Sequence, residues 1–269
     1  MSDSYFISTG GIDAERLRIC NEIYNKETFK FLLESGLKPG MKVLELGCGF
    51  GHSAIWLASQ VLPDGIVYAI DISQDNLDIA KENARKSNIS NIKFICMNAN
   101  ELDQFHEKVD FFYGRWVLEF CKDGREKILK NIYNLLNKNG VFAYEGANFA
   151  ESGGYSYPQH PAVDTWYQLV ELNAEKHGCE LHFARKIYFA IKALGYKKIL
   201  AKHHQPLLIT PEEKSVHRLG LISSKEGLIQ NNLISSEEMD KLIDEFVNIE
   251  KNDEQITGFF NNLLISGVK

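Results

Sequence analysis

The stretch 43–51, Val43-Leu44-Glu45-Leu46-Gly47-Cys48-Gly49-Phe50-Gly51, decides how the rest of the chain is read. A short apolar run from Met41 to Leu46 ends in glycines at alternate positions, which reads as a buried strand closing in a tight turn. Residues 51–60 then carry Ala54, Ile55, Leu57 and Ala58 at helical spacing, so the turn joins a strand to a helix. Glycines permit that turn and let a ligand approach the backbone, and the helix start offers unpaired N–H groups to an anion. Asp71 ends the next apolar run, 66–70, twenty residues after Gly51. In a parallel sheet a nucleotide ribose lies at such strand tips, where a carboxylate accepts from both hydroxyls. Strand, glycines, helix and acid together point to a nucleotide-type cofactor.

Outward from this stretch, strand and helix alternate. Strands are expected at 91–97, 109–113 and 141–145, with helices at 73–87 and 125–137. This is the pattern of βαβ units on a parallel sheet. Residues 150–168 are rich in Gly, Tyr, Pro and Trp and read as a loop or short lid. A helix at 181–194 precedes a sixth strand, 196–203, and 259–268 returns as a last strand. Two capping boxes, Thr210-Pro-Glu-Glu213 and Ser235-Ser-Glu-Glu238, start helices outside the βα alternation.

The 269 residues carry 44% apolar and 25% charged side chains, which suits a large globular α/β chain. No run reaches the ~18 apolar residues of a membrane span, and the start lacks a basic-then-apolar signal pattern, so a cytoplasmic protein is expected. The net charge of −6 supplies no general attraction for phosphate backbones, which disfavours nucleic acid as a partner. Five scattered cysteines form no CxxC pair and read as reduced thiols. His203 and His204 are adjacent on a strand and point to opposite faces, so no metal is expected.

The dinucleotide fingerprint is G-x-G-x-x-G, whereas here the third glycine comes one residue early, which argues against a nicotinamide oxidoreductase. The turn Glu-x-Gly-x-Gly-x-Gly resembles the first motif of class I S-adenosylmethionine-dependent methyltransferases. VYAIDIS (67–73), FICMNANEL (94–102), VDFFYGRWVLEF (109–120) and LLNKNGVFAYEG (135–146) resemble the landmarks that follow it. The resemblance implies an α/β, doubly wound, mostly parallel seven-stranded sheet with helices on both faces, plus helical and aromatic lid insertions. It divides the chain into a helical lid segment at 1–36, a donor-binding core at 37–149, a lid insertion at 150–180, and the rest of the core at 181–269. A helical insertion at about 207–256 interrupts that last part.

The implied cofactor is S-adenosylmethionine, with S-adenosylhomocysteine as product. Gly47, Cys48, Gly49 and Gly51 would lie by its methionine and ribose, and Glu45 by its ammonium end. Asp71 would hold the ribose hydroxyls. Ile72, Asn98 and Ala99 would contact adenine, with Asn98 where the family often has aspartate. Arg115 and Trp116 follow the fourth strand, whose tip faces the donor. Many relatives have histidine near Glu119, which makes Glu119 a candidate catalytic group beside Tyr113. Tyr155, Tyr157, Trp166 and Tyr167 are candidates for an acceptor pocket.

Base methylation is disfavoured, because the fourth strand lacks an Asn/Asp-Pro-Pro-aromatic tetrad and no proline precedes a cysteine. The expected activity is direct in-line transfer to a small molecule. A protein methyltransferase or a non-enzymatic S-adenosylmethionine-binding regulator are the alternatives, and a homodimer through the late helices is one option.

Overall fold

The computed structural model describes residues 11–121, 124–149 and 153–269. A seven-stranded sheet has the order β3-β2-β1-β4-β5-β10-β7. Its strands are β1 (Lys42–Leu46), β2 (Ile66–Asp71), β3 (Ile92–Cys96), β4 (Val109–Arg115), β5 (Leu136–Asn148), β7 (Lys197–His204) and β10 (Asn261–Val268). The first five pair in parallel, and β10 runs antiparallel to β7. The expected doubly wound α/β fold is the observed one.

Strands buried on both faces must be apolar throughout. Val43 and Leu44 are both fully buried, and successive side chains send them to opposite faces. Leu44, Tyr68, Phe112 and Phe142 pack with Ile128 and Ile132 of α4 (Arg125–Leu135) and Ile187 of α6 (Ala184–Leu194). Val43, Val67, Phe111 and Ala143 pack with Leu57 of α2 (His52–Gln60) and Leu77 of α3 (Gln74–Lys86). From β1 the chain runs outward through β2 and β3 and then crosses back to β4 on the other side of β1. The glycine turn therefore sits at the topological switch point, where open α/β sheets bind ligands.

The described chain forms two compact units. One comprises 27–147, 182–204 and 262–269, and holds the large sheet. The other comprises 11–26, 148–181 and 205–261. The helix α1 (Gly11–Glu34) contributes its first sixteen residues to the second unit and its remainder to the first.

The expected loop at 150–168 is corrected by the structure. Among its described residues, β6 (Tyr155–Tyr157) is a strand, and α5 (Pro161–Lys176) is a helix. Pro161 occupies the first helical turn and His160 caps it, while Val163, Trp166, Tyr167 and Ala174 form the buried stripe. β6 joins β9 (Ile256–Gly258) and β8 (Leu207–Leu208) in a small antiparallel sheet.

The two capping boxes start α7 (Pro211–Gln230) and α8 (Ser236–Lys251). Buried Lys214 on α7 donates from Nζ to the carbonyls of Asn252 and Gln255 at 2.7 and 3.2 Å, fixing the end of α8. Ser235 Oγ accepts from Glu238 N at 3.2 Å, and Glu238 Oε2 accepts from Ser235 N at 3.0 Å. Ser235→Ala should cost about 1 kcal/mol in urea unfolding; an unchanged midpoint would show that packing alone holds the helix start.

Candidate functional site

Gly47, Gly49 and Gly51 have φ of 74°, 51° and 80°, the left-handed region that side chains disfavour. Packing reinforces the choice at two of them. A Cβ on Gly47 would lie 2.2 Å from Val117 Cγ2, and one on Gly51 would lie 2.9 Å from Ala80 Cβ. A Cβ on Gly49 would meet nothing within 4 Å. The middle glycine thus leaves open space where a ligand would approach.

Asp71 fastens this turn. Its Oδ2 accepts from Gly49 N at 2.8 Å, and its Oδ1 accepts from Ser73 N at 2.9 Å. Oδ1 also accepts a long bond from Asn76 Nδ2 at 3.4 Å, so the open acceptor position lies on Oδ2. Ile72, just past the tip of β2, is 62% exposed beside the turn. Asn98 caps the 3-10 helix Ala99–Gln104, its Oδ1 accepting from Asn100 N at 2.9 Å, and Ala99 is half-buried.

Glu45 is 2% exposed, and its Oε2 has no hydrogen-bond partner. Burial pushes its carboxyl up to about 8, against the pull of Arg115 and Ser53, and Asp71 adds to the rise. Burial also pushes the neighbouring Cys48 thiol up, helped by Glu45 and Asp71, so it is an inert thiol.

On the other side of β1, Arg115 and Trp116 follow one another at the tip of β4. Arg115 Nη1 lies 3.8 Å from Glu145 Oε2, and its Cζ lies 5.1 Å from the Trp116 ring centre. Tyr113 is buried in β4 and donates from its hydroxyl to Glu145 Oε2 at 3.2 Å.

Glu119 lies apart from these groups, fully buried in the turn after β4. Tyr144 OH donates to Glu119 Oε2 at 2.5 Å and accepts from Val117 N and Leu118 N at 3.0 and 2.8 Å. Burial lifts the Glu119 carboxyl to about 7, opposed first by the Tyr144 bond. A Cβ on Gly146 would come within 2.7 Å of Glu119 Oε1, so glycine there makes room for the carboxylate.

The four candidate acceptor residues belong to the second unit. Tyr155 and Tyr157 are exposed on one face of β6, whereas Trp166 and Tyr167 are buried on α5. A Cβ on Gly154 would fall 2.0 Å from the Tyr167 ring, which explains the glycine pair at 153–154. Tyr167 lies in an aromatic cluster with Phe149, His217, Phe259, Phe260 and Tyr24. Burial holds the His217 imidazole down at about 3, hence neutral, and its Nε2 pairs with Thr257 Oγ1 at 3.2 Å.

Sequence reasoning singled out none of Thr28, Tyr144 and Asn262, and Glu145 entered it only within the stretch 135–146. Thr28 Oγ1 and Asn262 Nδ2 donate to Glu145 at 2.7 and 2.6 Å across more than a hundred residues. An asparagine pair leading into the apolar run 263–265 was the one available signal. Among the described residues no cluster of three His, Cys, Asp or Glu side chains is placed to hold a metal ion. No helix among them is long and apolar enough to cross a membrane.

A family model described as a methyltransferase domain matches residues 37–193, more than half of the chain. The chain belongs to that family. Its fold is the class I, Rossmann-like methyltransferase fold. The YcgJ protein of Bacillus subtilis superposes with a TM-score of 0.60 at 15% identity, covering 91% of this chain and 99% of its own. The mycolic acid cyclopropane synthase CmaA1, solved with S-adenosylhomocysteine, gives 0.56 at 16% identity, covering 88% and 81%. A demethylmenaquinone methyltransferase of Bacillus mycoides is 30% identical over 140 residues, 52% of this chain and 56% of its own. An arsenite methyltransferase of Halobacterium salinarum is 27% identical over 109 residues, 40% of this chain and 28% of its own. The chain thus spans about half or less of the length of these curated relatives.

The Tyr144 hydroxyl holds three buried groups of the methyltransferase domain at once. Tyr144→Phe leaves two amides and a carboxylate unpaired and should cost roughly 2–4 kcal/mol in chemical unfolding. A loss below about 0.5 kcal/mol would mean that these groups find other partners.

Proposed function

We propose that this protein is an S-adenosylmethionine-dependent methyltransferase that passes the methyl group directly to a small-molecule acceptor. The observation that carries the reading is the pairing of open space over Gly49 with the orphaned, buried Oε2 of Glu45. A buried carboxylate oxygen without a partner is costly unless a ligand supplies one, and the donor's ammonium group is of that kind.

The remaining residues fit the same ligand. Asp71 has acceptor capacity for the ribose hydroxyls while it retains Gly49. Ile72 offers an exposed apolar face to adenine, with Asn98 and Ala99 at its edge. Gly47, Cys48 and Gly51 shape the turn, and Arg115 and Trp116 face the amino-acid end. S-adenosylmethionine, when bound, supplies a methyl group already activated on a sulfonium. The protein's share is then to orient the acceptor and exclude water.

Tyr113 and Glu119 are enclosed by their own unit, and this reading gives neither of them a part at the acceptor atom. Alignment of an already nucleophilic acceptor carries the transfer. The names of two relatives, a demethylmenaquinone methyltransferase and an arsenite methyltransferase, support a small-molecule acceptor.

Purified protein incubated with methyl-labelled S-adenosylmethionine and fractionated cell extract should label the metabolite fraction. Label in protein instead would move the acceptor to the protein class, and no label despite donor binding would favour a regulator. In calorimetry, Gly49→Ala and Asp71→Asn should each weaken S-adenosylhomocysteine binding roughly tenfold or more while the fold persists. Unchanged affinity in both would remove the site.

An ammonium placed against Glu45 favours its ionised form, so binding below about pH 8 must release a proton. Affinity should therefore rise from pH 6 to about 8, and Glu45→Gln should flatten the profile. A flat profile in the wild type would dissociate Glu45 from the donor.

A further inference from the structure

The tips of β4, β5 and β10 carry a polar circuit that the glycine turn does not need. Glu145 is 1% exposed. Its Oε1 accepts from Asn262 Nδ2 at 2.6 Å, and its Oε2 from Thr28 Oγ1 at 2.7 Å and Tyr113 OH at 3.2 Å. Asn262 Oδ1 in turn accepts from Trp116 Nε1 at 3.1 Å. The Trp116 ring carries the Arg115 guanidinium at 5.1 Å, and Arg115 returns to Glu145 at 3.8 Å. Four side chains from three strand tips close into a ring.

Two features mark the ring as held against a cost. Trp116 has φ of 53°, a left-handed conformation that is strained for a bulky residue. The Trp116 backbone N–H donates to the Glu145 carbonyl at 3.0 Å, so the backbone anchors it to β5 and the indole to β10. Asn262 is fully buried at the start of β10, and the nitrogen and oxygen of its amide are both spent on the circuit.

We propose that Glu145 and Asn262 are positioning residues that hold Arg115 to receive the carboxylate of the donor's amino-acid end. The inference rests on the donor reading above and extends it to residues on β5 and β10. The strand order supplies the direction. Asp71 and Ile72 end β2 and Asn98 follows β3, all on one side of the glycine turn. Arg115 ends β4, opposite Glu145 on β5, on the other side. A ligand whose nucleoside lies over β2 and β3 sends its amino-acid end past Glu45 toward Arg115.

Guanidinium is planar and forked, which suits bidentate pairing with a carboxylate, provided the fork is aimed. Arg115 stands between two acidic side chains, Glu45 and Glu145. Stacked on Trp116 and facing Glu145 within the ring, it keeps one orientation. Released from the ring, it collapses onto Glu45 and is lost to a ligand.

The test compares two probes in calorimetry, S-adenosylhomocysteine and 5′-methylthioadenosine. The second keeps the nucleoside and thioether but lacks the amino-acid end. Glu145→Gln preserves shape while removing the charge that faces Arg115. Trp116→Phe removes the indole N–H and keeps an apolar ring, so it serves should Glu145→Gln fail to fold, as judged by circular dichroism. Each variant should lose roughly tenfold or more in S-adenosylhomocysteine affinity and bind methylthioadenosine within about twofold of wild type. Equal losses for both probes would assign the circuit to the fold alone, and no loss for either would overturn the positioning role. A wild-type protein that binds neither probe would overturn the donor reading and this inference with it.

Discussion

The Asp71 carboxylate ties together the turns that end β1 and β2, accepting one amide from Gly49 and one from Ser73. The glycine turn is fastened on its other flank as well. Gly47 packs against Val117, whose N–H is held by Tyr144 OH on β5. A turn clamped from β2 and from β5 cannot relax to fill the space over Gly49. Preorganisation of this kind lowers the ordering cost that a ligand must otherwise meet. The sheet order is what makes both clamps possible, since β1 lies between β2 and β4 with β5 next in line.

The buried acids around the turn meet the cost of burial in different ways. Asp71 is satisfied by backbone amides. Glu145 gathers a threonine, a tyrosine and an asparagine from other elements and stands near an arginine. Glu119 relies on one strong bond from Tyr144, and its carboxyl is lifted to about 7. Glu45 and Glu119 each keep one bare oxygen, but only Glu45 belongs to the strand that leads into the glycine turn, and its carboxyl is lifted further, to about 8. Buried groups that satisfy one another stabilise a fold, whereas a bare group beside the open space over Gly49 is one that a ligand can complete.

The site was legible in the sequence where its chemistry is local. Glycines at alternate positions require positive φ within a few residues, and Asp71 follows at the end of the next strand, so both belong to patterns that a single βαβ unit imposes. The strands and helices of the large sheet were legible for the same reason, because each carries its own apolar period. The helix Pro161–Lys176 was obscured by the Gly-Gly-Tyr-Ser-Tyr-Pro run before it, although Val163, Trp166 and Tyr167 keep helical spacing. The strands of the small sheet have two or three residues and are too short to show a period. Thr28, Glu145 and Asn262 meet only because the sheet brings β5 and β10 together, which no local pattern encodes. Glu119 became a candidate catalytic group through the resemblance, since many relatives have histidine near it; direction of burial is a property of packing, and Tyr144 holds its carboxylate inward.

The central claim is that the clamped glycine turn is the donor's seat. The most direct measurement is a crystal structure of the full chain with S-adenosylhomocysteine. The account predicts ribose hydroxyls on Asp71, adenine against Ile72, the ligand's ammonium on Glu45 Oε2 and its backbone approach over Gly49, with the turn unmoved. A ligand bound elsewhere, or a site reached only after the bond from Gly49 to Asp71 breaks, would contradict it.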